Sequence, residues 1–119
     1  MNFIIGMLLM VSGGDESGAF QSFISLAFRK EFLLVGMYET GFPLLRLLEL
    51  VFDELFRDNL PKLFKHFKTH DVSNTTWLTK WLMTLYLYSF PLPACVRIVD
   101  FMISSNVFAL VKVAVGVLR

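Results

Sequence analysis

The stretch PLLRLLELVFDELFR, Pro43 to Arg57, decides the fold class. Its polar residues Arg46, Glu49, Asp53 and Arg57 recur at spacings of three and four, which places them on one stripe of a helix. Leu44, Leu45, Leu47, Leu48, Val51, Leu55 and Phe56 fill the rest of the circumference. A narrow wet face and a wide apolar one make a surface helix of a larger core, and a strand with period two would not give this pattern. Asp53 and Arg57 stand four apart, the spacing of a helical ion pair.

Working outward, helical signals continue on both sides. Toward the N-terminus, Glu31 to Phe42 holds two glycines and reads as a connector ending at Pro43. Before it, Ala19 to Phe28 is an apolar helix preceded by Asp15, Glu16 and Ser17, with Arg29-Lys30 expected in its last turn, where the helix dipole favours cations. Asn2 to Val11 is apolar all round, which suits a buried helix, and Ser12-Gly13-Gly14 stops it. Toward the C-terminus, Asn59 is read as the cap of a short helix with Pro61 in its first turn. Leu60, Phe64 and Phe67 share its inner side, and Lys62, Lys65 and His66 stay in water. Asn74 is read as the cap of a helix from Thr75 to Ser89, which carries Trp77, Trp81, Leu85 and Tyr88 on one side, turned inward as core. Phe90-Pro91-Leu92-Pro93 breaks it, and Ala94 to Ser104 and Val107 to Leu118 follow as two apolar helices. No stretch alternates as a strand would. The expectation is an all-α bundle of six to seven short helices.

Composition narrows the class. The chain has 119 residues, 55% hydrophobic and 18% charged, against about 25% charged for soluble domains. Mean hydropathy is +0.62, so a membrane reading must be met. The longest charge-free run, Trp81 to Val96, is interrupted by Pro91 and Pro93, and Met1 to Gly14 ends in Ser-Gly-Gly; neither supplies the roughly 18 uninterrupted apolar residues of a spanning helix. No Lys or Arg precedes the apolar stretch Phe3 to Val11, so a secretory leader is not expected either. One cysteine, Cys95, gives no disulfide framework. A net charge of +1 gives no nucleic-acid footprint. What remains is a cytoplasmic helical piece with more apolar surface than its own length can cover.

Few residues suggest chemistry. Ser12-Gly13-Gly14-Asp15 lacks the length and the Lys of a phosphate loop and reads as a helix breaker. His66 and His70 have the spacing of a two-histidine metal site, without a Glu after the first His or a third ligand. Lys62, Lys65 and Lys68 form a basic edge, read as a solvated face, with membrane-surface contact as the sharper alternative. Arg97 and Asp100, three apart in an apolar helix, read as a structural clamp, because an unpaired buried charge is costly. Asn74-Thr75-Thr76 fits the glycosylation pattern, which is frequent by coincidence. No Ser-His-Asp, Cys-His or paired-carboxylate arrangement stands out, so no catalytic, cofactor-binding or metal residue is assigned.

The order of local patterns resembles the TBC domain of Rab GTPase-activating proteins. Met1-Asn2-Phe3-Ile4-Ile5-Gly6-Met7-Leu8-Leu9 is similar to the segment that follows the family's Y-x-Q-G-M-N motif. Glu16, Ala19 and Phe20 resemble the acid and A-F pair of the next helix. Gly41-Phe42-Pro43 with Leu47 resembles the G-[FM]-P lead into the long helix, and Leu60-Pro61-Lys62-Leu63 with His66 resembles L-P-x-L-x-x-H. Trp77-Leu78-Thr79-Lys80-Trp81-Leu82 with Thr84-Leu85 is similar to [SAT]-K-W-[FL]-x-[TC]-L, and Pro91-Leu92 with Arg97-Ile98-Val99-Asp100 to P-L-x-x-x-x-R-[IV]-W-D. Val99 stands where Trp is usual, Gln21 replaces another Trp, and Ser105-Asn106 stands where E-G is common.

The resemblance implies that residues 1–119 are the C-terminal part of a TBC domain, partnered by a Rab-family small GTPase and by the upstream part of the same domain. It implies a regulator in vesicle trafficking, cytoplasmic or peripheral to endomembranes, that activates a GTPase and needs no cofactor. The family works with an Arg from I-x-x-D-x-x-R and the Gln of Y-x-Q, and an arginine finger supplied in trans contributes about 10³ to 10⁵ in rate. Neither motif occurs in these residues, and Arg29, Arg46, Arg57 and Arg97 match neither. The motif alignment puts Met1 on the M of G-M-N, internal to full domains, so a fragment inactive alone is expected. A catalytically silent interaction subunit is the alternative.

Overall fold

The structure is a computed structural model describing residues 1–119. Seven α-helices and one 3-10 turn account for its regular structure, and it contains no strand. In chain order they are α1 (Asn2–Val11), α2 (Glu16–Phe28), the 3-10 turn Leu34–Met37, α3 (Pro43–Asn59), α4 (Pro61–Thr69), α5 (Thr75–Met83), α6 (Leu92–Ser104) and α7 (Ala109–Leu118). The all-α expectation holds.

Helix α3 is the axis. It packs against α7, α5, α4 and the 3-10 turn, and sinks Leu45, Leu48, Phe52 and Phe56 completely or nearly so. Helix α7 lies on the other side of that row, with Ala109, Leu110, Val111, Ala114 and Val115 buried. Aromatic rings continue the core outward: Phe56 meets Phe64 and Phe67 of α4 edge-on, and Phe52 meets Trp77 of α5 at 5.5 Å. Helices α1 and α2 pack on each other and reach the rest through the 3-10 turn and a groove against α6. Gly36 in that turn is required: a Cβ there would stand 2.9 Å from the Cβ of Leu44. The molecule is elongated, 49 × 29 × 23 Å, with a radius of gyration of 14.9 Å, against about 13.5 Å for a compact domain of this length.

Several local expectations change. Helix α5 stops at Met83 rather than Ser89, because Leu85 and Tyr86 adopt left-handed backbone, at φ 48° and 68°. The turn drives Tyr86 wholly inside, where its hydroxyl donates to the Leu110 carbonyl of α7 at 2.6 Å. The inner line of α5 is therefore Leu78 and Leu82, continued by Leu85 beyond the helix; the indoles of Trp77 and Trp81 are half-buried at its flank, and Tyr88, beyond the helix end, is exposed rather than core. Arg29 caps α2 from outside its last turn and makes an exposed pair with Glu31. Arg57 pairs with Asp58 instead of Asp53. Asn59 donates back to the Leu55 carbonyl at 2.8 Å, closing α3, and Leu60 takes the cap position of α4. Helix α1 is not buried all round: Ile4 and Met7 are, while Phe3, Ile5, Met10 and Val11 face out.

Candidate functional site

Two concave surfaces flank the α3–α7 core. The first, of about 460 Å³, lies where α3, α4 and the start of α5 diverge. Its floor is Phe56, Phe64, Phe67 and Leu78, and α3 lines one wall with Glu49, Asp53 and Glu54. Two of these carboxylates are held by neutral donors from across the cleft. Thr79 Oγ1 donates to Glu49 Oε1 at 2.7 Å, and Asn74 Nδ2 donates to Asp53 Oδ1 at 2.9 Å. Asn74 thus holds the N-cap position of α5 without a capping side-chain bond, and its own Oδ1 is shielded without a donor. From sequence, Glu49 and Asp53 read only as members of a wet stripe. Their partners lie 30 and 21 residues away, a separation no local pattern signals.

The second surface, a groove of about 590 Å³, runs between α1, α2 and α6. Met7, Leu8, Leu26, Phe32, Val96, Val99 and Ile103 line it, with Arg29 and Asp100 among the polar residues at its edge. Beside it, Phe3, Met7, Met10, Leu87 and Leu92 border a shallower apolar groove of about 420 Å³. Phe20, Ile24 and Phe28 add a second exposed apolar row on another side of α2. This is the uncovered apolar surface that composition pointed to.

The residues singled out from sequence fall as follows. Arg97 and Asp100 are both exposed and make no ion pair or side-chain hydrogen bond, so the expected clamp is absent: three residues apart on α6, both side chains reach water. The rings of His66 and His70 stack at 4.2 Å, with His70 Nδ1 at 2.9 Å from the His66 carbonyl oxygen. No cluster of three His, Cys, Asp or Glu side chains is gathered. Gly13 and Gly14 have φ 67° and 87°, and Ser12 Oγ bonds the Leu9 carbonyl, as a helix terminator does. Cys95 is fully buried beside the Phe90 carbonyl, and burial pushes its thiol up, away from the thiolate a nucleophile needs. Burial likewise raises Tyr38, whose hydroxyl donates to the Met83 carbonyl. Lys62, Lys65 and Lys68 are exposed, Lys68 lying over the Phe64 ring.

A model of the Rab-GTPase-TBC domain matches residues 1–119. The chain belongs to that family. It is 29% identical over 117 residues to the human ecotropic viral integration site 5 protein homolog, covering 98% of the chain and 14% of that protein. It is 30% identical over 118 residues to the GTPase-activating protein GYP5 of Saccharomyces cerevisiae, covering 99% and 13%. Against human TBC1 domain family member 14 the identity is 31% over 122 residues, covering 100% and 17%. The TBC chain therefore spans less than a fifth of the length of these relatives. No solved structure matches. No helix of this TBC segment is long and apolar enough to cross a membrane.

Proposed function

We propose that these 119 residues are the C-terminal part of a TBC domain that promotes GTP hydrolysis by Rab GTPases in vesicle trafficking, on the cytoplasmic side of endomembranes. The observation that carries this is the end-to-end match of the Rab-GTPase-TBC family model. A relative named as a GTPase-activating protein, similar over 99% of the chain, supports it.

In this reading the segment is scaffold and part of the GTPase-facing surface. The α3–α7 core fixes the positions of the outer helices. The apolar groove of α1, α2 and α6 is covered by the upstream part of the same domain, because contiguous exposed apolar surface of this extent marks an interface. The two fingers come from that upstream part, since neither I-x-x-D-x-x-R nor Y-x-Q is present here. The chain alone then leaves Rab hydrolysis at its intrinsic rate.

The test is single-turnover GTP hydrolysis across a Rab panel, with the chain alone and with a finger-bearing upstream TBC segment added in trans. Acceleration only with both parts supports the reading. Acceleration by the chain alone would show that a residue present here acts as a finger. Rab binding without acceleration in either arm would favour the silent interaction subunit.

A further inference from the structure

Folding joins two basic segments that are far apart in sequence. Helix α4 exposes Lys62, Lys65 and Lys68 together with His66 and His70, and has no acidic residue from Pro61 to His70. Its opposite side, Leu63, Phe64 and Phe67, is packed against the core. The end of α7 lies beside the start of α4. Arg119 shares one shallow crevice with Asn59 and Lys62, and the adjoining crevice with Asn59 and Lys112. Lys112 and Arg119 are seven residues apart, hence on one face of α7. Lys112, Arg119, Lys62 and Lys65 therefore run as one exposed strip, while Lys68, further round α4, borders the cleft that Glu49, Asp53, Glu54 and Asp71 line.

None of these five cations is within ion-pair distance of a carboxylate; the chain's ion pairs are Arg29–Glu31 and Arg57–Asp58. They are five of eleven Lys and Arg in a chain whose net charge is only +1. The remainder of the surface is therefore net negative, and the molecule carries a charge asymmetry that orients it in a field. We propose that this strip docks the protein onto an anionic lipid surface.

The chemistry of the strip favours a bilayer over other polyanions. Four of the five cations are lysines, compact hydrated charges, rather than the arginine forks that grip phosphate or carboxylate in two-point fashion. The exposed rings among them are the imidazoles of His66 and His70, which lie against each other, and no exposed Phe, Tyr or Trp is there to stack a nucleic-acid base. The crevices beside Asn59 are shallow, so an acidic peptide would find no slot. A diffuse negative plane asks only that charges be spread along one side, and each lysine near it strengthens binding about fivefold. The inference deepens the Rab reading by orienting the domain at a membrane, but its test uses no GTPase.

The experiment is vesicle flotation of the intact chain with phosphatidylcholine alone and with equal parts phosphatidylcholine and phosphatidylserine. Two variants of equal net charge are compared, Lys62→Ala/Lys65→Ala on the strip and Lys30→Ala/Lys80→Ala off it, each checked for native helicity. The expected result is binding to anionic vesicles only, weakened about 25-fold by the strip variant and at most about twofold by the control. Binding should also fall as salt shortens the screening length from about 10 Å at 0.1 M to about 3 Å at 1 M. Equal binding to both vesicle types, or equal loss in both variants, would overturn the proposal. So would retention on heparin without flotation, which would assign the strip to an acidic macromolecule. Since no GTPase is present, any of these failures would leave the Rab reading intact.

Discussion

Helices α1 and α3 are both rich in apolar residues, yet the structure treats them in opposite ways. Helix α3 has a polar stripe and buries one full row, Leu45, Leu48, Phe52 and Phe56. Helix α1 has no polar stripe, and buries only Ile4 and Met7. The contrast extends to their neighbours. Helix α7 hides five residues among α3, α5 and α6, whereas α2 leaves Phe20, Ile24 and Phe28 in solvent. An amphipathic helix specifies which side is inside and is satisfied by this chain's own core. A helix apolar all round demands cover on every side, and the hairpin α1–α2 receives it on one. The first region is built to stand by itself; the second is built to be part of something larger.

Substitutions that cut equal volumes from the two regions should separate them most. Phe52→Ala, at a fully buried ring between Phe56 and Trp77, should cost about 3–5 kcal/mol in denaturant unfolding. Phe20→Ala, at a ring 65% exposed, should stay within about 0.5 kcal/mol. Comparable costs would mean that the hairpin is held as firmly as the core.

Tyr86 ties α5 to α7 within the firm region, and it makes that region sensitive to alkali. Burial raises its hydroxyl well above the ordinary tyrosine range, with a backbone contact at Ala114 offsetting only part. The folded state thus keeps a proton that the unfolded chain releases above about pH 10. Stability is fully present below that pH and falls as pH rises beyond it. Tyr86→Phe should cost about 1 kcal/mol at neutral pH through the lost bond to Leu110, and should flatten the alkaline decline in thermal melts. An unchanged decline would place the titrating group elsewhere, Tyr38 and Cys95 being the other groups that burial raises.

Smaller effects probe the outer faces. Met10→Glu with Phe20→Lys should reduce self-association, read by light scattering, while changing stability by less than about 1 kcal/mol, because both side chains face solvent. Undiminished association would locate the sticky surface away from the hairpin. Arg97→Ala and Asp100→Asn should each change the melting midpoint little, about 0.5 kcal/mol or less, since both side chains are exposed and unpaired. A large loss from either would restore the clamp read from sequence.

That clamp shows where sequence reading stops. The periodicity of Pro43 to Arg57 gave the fold class and the axis of the bundle, and the inner and outer sides of α4 were legible for the same reason: one helix, one local rule. The order of family motifs gave the domain. Tertiary decisions were not legible. The left-handed turn at Leu85 and Tyr86 accompanies the burial of Tyr86 and its bond to a carbonyl 24 residues away, and nothing in Thr75 to Ser89 announces it. Asn74 and Thr79 read as a cap and a helix filler, yet they orient Asp53 and Glu49. The apolar neighbours of Arg97 and Asp100 point to a buried pair, yet both residues lie on the outer side of α6, which faces water.

The central claim, a self-sufficient α3–α7 core beside a hairpin that needs cover, is tested most directly by native-state hydrogen exchange. Amides in the middle of α3 and α7 should exchange only through global unfolding, with free energies that fall along with global stability as denaturant is added. Amides of α1 and α2 should exchange through a cheaper local opening that is insensitive to low denaturant. Protection of α1 and α2 equal to that of α3, merging into one unfolding event, would contradict the account.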